Sequence, residues 1–518
     1  MPETTDLLPI LPILLVAATA LTVLVVDWFV PAGEMRPQAG VALLGLLLAG
    51  LAILAGLAPP GIAFARTVTL ADGGSVASGM VRVDGFGLYA QGIIVLAGLL
   101  SVLLGVTWMA QSGRRRAEYY VLLLVAAAAM MLLCVANDLI LIFLAIETFS
   151  ICLYVLSGFQ RQDRAGQEAA LKYFLLGAFS AGFLLYGTAL LYAATGTVNL
   201  DAIAVQLAPR IASLPGIVYV GLGLLLVGLG FKVAMAPFHQ WTPDVYEGAP
   251  LPVTAFMASA TKVAAFAALF RVLWVAFPSL ADVWQPVLAA LALLSMLVGN
   301  LTALVQGDMK RMLAFSSIAQ AGYLLVAVVS GPVLGAWALL FYLFQYAITT
   351  LGLFGVLLGL GRAAPSGRDA TNLTDLAGLG RRNAGLAAAL AILLFSLTGL
   401  PPTIGFLGKW YVFLAAVGAQ YTWLAVAVVL NSVLAAFYYL RPVVLMYMAP
   451  GGEEQPLDVP TGAAVTAATT AVLASLALIL ALPLLRGAQS APLAGATQET
   501  ASSRQPIFIS APDRRQVP

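Results

Sequence analysis

The chain alternates long apolar runs with short polar connections. A helix rises 1.5 Å per residue, so about 20 apolar residues match the ~30 Å hydrocarbon core of a bilayer. Fourteen such runs occur, near 7–30, 39–59, 83–110, 117–136, 138–159, 169–194, 216–247, 252–277, 281–305, 310–330, 332–360, 384–416, 421–448 and 462–485. Runs 7 and 12 are long because prolines interrupt them: Pro237 in GLGFKVAMAPFHQW, and Pro401 with Pro402 in GLPPTIGFLGKW. A proline cannot donate to the carbonyl four residues earlier, so Val233, Leu397 and Thr398 are expected to present carbonyls at membrane depth. Such groups persist there only against protein or water. Each break also carries a lysine, Lys232 before Pro237 and Lys409 after Pro402.

Runs 7 and 12 are five apart, an odd number, so they cross the membrane in opposite directions. Interrupted segments at matching positions of two halves point to an ion site near the midplane. The expected fold is therefore an all-α polytopic membrane protein of about 14 transmembrane helices, with an inverted pair of five-helix units, helices 4–8 and 9–13, and helices 7 and 12 broken. Two unrelated proline kinks would leave the same pattern. The expected organisation is helices 1–3 over residues 1–116, a first five-helix unit over 117–277, a second over 278–448, helix 14 within 449–485, and a disordered tail over 486–518, rich in Ala, Ser, Gln and Pro.

Composition agrees with the pattern. At 61% hydrophobic and 9% charged, with a mean hydropathy of +0.98, the chain lies far from soluble domains, which carry about 25% charged residues. The net charge of +2 is spread over loops rather than gathered in a stripe, so no nucleic-acid partner is implied. Only Cys134, Cys152 and His239 offer soft metal ligands, too few for a zinc site or an iron–sulfur cluster. The start, MPETTDLLPI, is acidic where a signal peptide is basic, so the first run is expected to stay as a membrane helix. Basic residues collect in the odd-numbered loops: Arg36; Arg114, Arg115 and Arg116; Arg161 and Arg164; Lys310 and Arg311; Arg362, Arg368, Arg381 and Arg382. The even-numbered loops hold little beyond Arg66, Arg82 and Arg210. Short cytoplasmic loops gather positive charge, which places both termini on the non-cytoplasmic side.

The candidate chemistry lies at depth. Glu147 sits nine residues into run 5, ~14 Å down, and Lys262 lies equally deep in run 8. A lysine at the centre of a helix costs about 2.5–3.5 kcal/mol on insertion scales, and proton movement is the reason that fits. Desolvation disfavours an ammonium and a nearby carboxylate favours it, so an approaching or withdrawing Glu147 would switch Lys232 between holding and releasing a proton. A static ion pair is the alternative. Lys172, a turn or so inside run 6, equally fits a side chain snorkelling to the interface. His239, past Pro237, suits a relay from Lys232 toward Lys262. Ser316, Ser317, Gln320, Tyr323, Gln345, Thr349 and Thr350 could line water from Lys262 to Lys409, or simply bond helices together. Asp138 reads as an acid at a helix start, Asp308, Lys310 and Arg311 as a solvated end, and Arg271 and Arg441 as side chains reaching for the interface.

Over FKVAMAPFHQWTPDVYEGAPLPVTAFMASATKVAAF the chain closely resembles the antiporter-like N-type subunits of bacterial respiratory complex I, the proton-translocating NADH-quinone oxidoreductase. VDGFGLYAQ, LKYFLLGAFSAGFLLYG, KRMLAFSSIAQAGY and GLPPTIGFLGKWYVF support it, and together they span about Val83 to Tyr439. The resemblance implies fourteen helices, and proton translocation by Glu147, Lys172, Lys232, Lys262 and Lys409. Lys409 points to the N type, since M-type subunits have a glutamate there, and the polar tail disfavours the L type. Gln320 departs from relatives that place a histidine; it can order water but cannot titrate. The resemblance further implies a multi-pass bacterial inner-membrane protein with no redox centre of its own, the FMN, iron–sulfur clusters and quinone residing in partner subunits. Its partners would be an M-type subunit, small membrane subunits and lipid. A subunit of a multi-subunit cation/proton antiporter, the homologous subunit of a ferredoxin-dependent photosynthetic-type complex, and a non-conducting scaffold remain as alternatives.

Overall fold

The computed structural model describes residues 7–31, 34–69, 75–112, 116–209, 215–361, 371–450 and 459–475. The tail, the end of run 14, and the loop residues Arg114, Arg115, Arg210, Arg362 and Arg368 lie outside the described residues. The helices are α1 Leu11–Phe29, α2 Arg36–Leu54, α3 Gly85–Ser112, α4 Glu118–Val135, α5 Leu139–Ser157, α6 Arg164–Thr195, α7 Gly216–Val233, α8 Leu251–Ala276, α9 Ala281–Leu304, α10 Met309–Val329, α11 Leu334–Leu360, α12 Ala384–Thr398, α13 Ile404–Gly418, α14 Thr422–Met448 and α15 Thr461–Ser475. Twelve of the described helices are long and apolar enough to cross a membrane; α12, α13 and α15 are shorter apolar helices.

A helix that is apolar all round belongs inside. The apolar stretches of α8 and α10 are buried throughout and that of α11 for 94% of its length, and the polar candidates of runs 8, 10 and 11 ride on these three central helices. Outer helices turn large apolar side chains outward, such as Phe174 and Phe179 on α6 and Phe437 on α14. One element was not expected from the runs. Strands β1 Gly61–Thr69 and β2 Ser75–Val83 form an antiparallel hairpin with Gly61 opposite Val83, and β2 leads into Asp84 at the head of α3.

Both broken segments end their first helix in the same way. After Val233 the chain turns left-handed at Ala234 (φ 58°), with Met235 N donating to Gly230 O at 3.0 Å. After Thr398 it turns left-handed at Gly399 (φ 86°), with Leu400 N donating to Phe395 O at 3.0 Å. These six-to-one bonds close the helix ends, so each helix stops four residues ahead of Pro237 and Pro402. The chain resumes in a short helix Thr242–Gly248 and in α13. Two helix starts also match. Asp138 caps α5 by accepting from Ile140 N and Leu141 N, and Asp308 caps α10 by accepting from Arg311 N. Beside Asp138, Leu139 N donates to Val198 O and Leu200 N to Asn137 O; beside Asp308, Met309 N donates to Thr371 O and Leu373 N to Gly307 O.

Two basic residues depart from expectation. Arg271 does not reach for the interface: it is fully buried and donates two bonds, 2.8 and 3.0 Å, to Asp84 across 187 residues of chain. A matching carboxylate makes burial of a guanidinium tolerable where lipid would not. Lys310 is likewise buried, donating to Glu247 O and Ala249 O at the end of the short helix, where orphan carbonyls welcome a cation.

Candidate functional site

Glu147, Ser150 and Tyr154 fall at i, i+3 and i+7 of α5, so one face of this helix presents a carboxylate and two hydroxyls. Lys232, on the last turn of α7, reaches that face. Its side chain is 1% exposed, and its Nζ donates to Ser150 Oγ at 2.9 Å and lies 4.0 Å from Glu147 Oε1. At that distance the carboxylate attracts the ammonium without a direct hydrogen bond, and Glu147 Oε1 has no hydrogen-bond partner among the described residues. The rings of Phe149, Tyr154 and Phe231 surround Nζ at 5.6–5.9 Å and supply cation–π attraction in place of water. Glu147 is 23% exposed and thus stands at the lateral edge of the chain.

Lys262 follows a π-helical turn, Met257–Thr261, a deviation frequent at functional sites. Its Nζ donates to Ser317 O and lies 5.5 Å from the Tyr346 ring. From there polar groups run through the centre. Ser317 Oγ meets Tyr246 OH at 3.4 Å; Ser316 bonds Tyr439; Gln320 donates to Tyr439 OH at 3.1 Å and accepts from Tyr342 OH. The Tyr342 ring is 6.4 Å from that of Tyr323, which lies 4.8 Å from Lys409 Nζ. Lys409 donates to Thr398 O at 2.8 Å, so one of the carbonyls expected to be freed by the second break is taken by the lysine of that same break. Thr349 faces Ser396 at 3.3 Å alongside.

The structure thus joins Glu147 with Lys232, and Lys262 with the file that ends at Lys409. It does not bring in Lys172, whose 43% exposed side chain pairs with Glu168 and Asp244 at 2.6 and 2.7 Å, while Arg311 pairs with Asp244 and Glu247. His239 is half-buried, its Nδ1 has no hydrogen-bond partner among the described residues, and Lys232 and Lys262 bond Ser150 and Ser317 rather than this imidazole. Sequence reasoning missed Ser150, Tyr154, Tyr246, Tyr342, Tyr346 and Tyr439. Helical spacing from Glu147 would have found the first two. Nothing local in α14 marks Tyr439, whose place depends on how α14 packs against α10.

Residues 136–435 match the family described as NADH:quinone oxidoreductase/Mrp antiporter, TM. The NADH-quinone oxidoreductase subunit N of Trichlorobacter lovleyi is 42% identical over 87% of this chain and 90% of its own. One chain of respiratory complex I from Thermus thermophilus superposes with a TM-score of 0.75 at 37% identity, covering 93% of this chain and all of that one. A chain of the Mrp complex from Dietzia sp. superposes with a TM-score of 0.79 at 24% identity over 94% and 97%, a likeness of fold alone. Family match and full-length relatives agree, and the chain belongs to the subunit N family of NADH-quinone oxidoreductase.

Proposed function

We propose that Glu147, Lys232, Lys262 and Lys409 carry protons along the middle of this subunit. As a family member the chain is a multi-pass inner-membrane subunit that translocates protons, driven by quinone reduction performed in partner subunits. The observation that carries the residue assignment is the placement of three lysines inside the protein, each at or beside a helix irregularity, with Lys232 facing Glu147 and a series of buried hydroxyl, amide and tyrosine groups lying between Lys262 and Lys409. Lys232, held by the Ser150 hydroxyl and three rings, is poised to lose its proton when Glu147 moves away. His239, its Nδ1 without a partner among the described residues, relays protons from Lys232 toward Lys262 through water in the first break, while Lys172, paired with Glu168 and Asp244, stands apart from this path.

The matching left-handed caps at Ala234 and Gly399, each three residues before a proline, and the matching ties beside Asp138 and Asp308, support fourteen spans built as two inverted five-helix units, α4–α8 and α9–α14, over residues 117–277 and 278–448. An M-type subunit and small membrane subunits are the proposed neighbours, and both termini face away from the cytoplasm. Likeness to the Dietzia chain is one of fold and does not favour the antiporter reading.

The experiment is proton pumping by the assembled complex in vesicles. Glu147→Gln and Lys232→Ala should abolish this subunit's share of the proton-to-electron ratio. An unchanged ratio in correctly assembled variants would falsify the assignment.

A further inference from the structure

Beyond Tyr154 the polar face of α5 continues to Ser157, so Glu147, Ser150, Tyr154 and Ser157 stand at i, i+3, i+7 and i+10 on one stripe. Ten residues of helix span ~15 Å, half the hydrocarbon core, and the stripe runs from the level of Lys232 to the last residue of α5. Three of its polar atoms, Glu147 Oε1, Tyr154 OH and Ser157 Oγ, are buried without a hydrogen-bond partner among the described residues. The fourth, Ser150 Oγ, accepts from Lys232 and donates back to Ile146 O. Buried polar groups nearly always find a partner, and a row of unpartnered ones along one seam is what a file of exchangeable water satisfies.

Across the seam lies α6, whose Gly177 makes room for the phenol: a Cβ there would sit 2.0 Å from Tyr154 OH. The Tyr154 ring is held edge-on against Tyr173 at 4.8 Å, Tyr173 stacks on Trp241 at 4.6 Å, and the same ring faces Lys232 Nζ at 5.9 Å. The hydroxyl is therefore fixed chiefly by contacts to its ring, with Ser150 as its polar neighbour.

We propose that this seam between α5 and α6 is the proton inlet of the first unit, with Tyr154 as the relay residue between Ser157 and Lys232. The proposal rests on the midplane reading and on the orientation above, which puts Ser157 at the cytoplasmic end. A proton arriving from the Ser157 side bonds to the phenol oxygen as the phenol's own proton leaves toward water shared with Ser150. Lys232 receives it as the neutral amine, after its earlier proton has passed on toward Lys262; the last O–H bond broken in the file is then replaced by the N–H bond formed on Lys232, so protons and charge balance.

The test uses the intact complex in vesicles, with NADH-driven proton uptake and its slowing in deuterated water as readouts. Tyr154→Phe keeps the ring and removes only an oxygen that lies by Ser150 without a close hydrogen bond among the described residues, so a packing role predicts native behaviour. A relay predicts a loss of roughly tenfold or more in uptake rate and an altered isotope effect. Gly177→Ala, which displaces the hydroxyl, should give a similar loss, and combining the two should cost no more than either alone. Native uptake by Tyr154→Phe overturns the inlet. If Glu147→Gln in parallel still abolishes pumping, only the inlet is lost; if it too pumps normally, the midplane reading falls with it.

Discussion

Lys262 and Arg271 lie on one ten-residue α-helical segment of α8, flanked by π turns at Met257–Thr261 and Val272–Ala276, yet they should answer substitution differently. Lys262 has a carbonyl and a ring but no carboxylate partner among the described residues, so Lys262→Met removes a charge without orphaning another. The complex should assemble, and its proton-to-electron ratio should fall; a native ratio would instead favour a scaffold that does not conduct. Arg271 is matched to Asp84, and Asp84→Ala strands a buried guanidinium, a loss of about 3–5 kcal/mol. Thermal unfolding of the complex should register that loss, and Asp84→Leu with Arg271→Met should recover much of it. Counting residues into each run put Glu147 and Lys262 well away from the helix ends, and both do lie in the interior of α5 and α8. Partnership was not legible in this way. Arg271 looks like a snorkelling end residue until Asp84, at the head of α3, is packed against it.

At the scale of elements, Ala234 adopts a left-handed conformation that an L side chain resists by about 1 kcal/mol, where the second break has Gly399. Ala234→Gly should therefore raise the melting temperature slightly without touching Lys232. Gly405→Ala should do the reverse, since its Cβ would sit 1.7 Å from Ser396 O and push α13, with Lys409, away from α12. The expected outcome is assembled complex with impaired pumping, read in the same vesicles. Prolines 237, 401 and 402 announced both breaks, but the helices end at the left-handed turns ahead of them, which a proline rule alone does not locate. The hairpin was missed because the search for twenty-residue apolar runs passed over GIAFARTVT and SVASGMVRV, although the sequence Asp72-Gly73-Gly74 between them is a turn signal.

Across the whole molecule, charge sorts to two ends. Lys172, Asp244, Arg311 and Glu247 tie α6, the short helix and α10 at one end, while Arg82 with Asp201 and Asp84 with Arg271 secure the hairpin side. The native thiols, Cys134 and Cys152, are buried, so new cysteines can report sidedness. Arg161→Cys should react with an impermeant thiol reagent from the cytoplasm and Leu57→Cys, beside the hairpin, from the opposite side; the reverse would invert the proposed topology. The expected sidedness rests on the alternation of basic loops in the sequence.

The bond between Asp84 and Arg271 also has a bearing on biogenesis. At 5–20 residues per second, a ribosome needs roughly 10–40 s after making Asp84 to reach its partner 187 residues on. Until then the carboxylate lacks the guanidinium that pairs with it in the finished fold. The tie between the head of α3 and α8 therefore closes late, only once the eighth helix has been made.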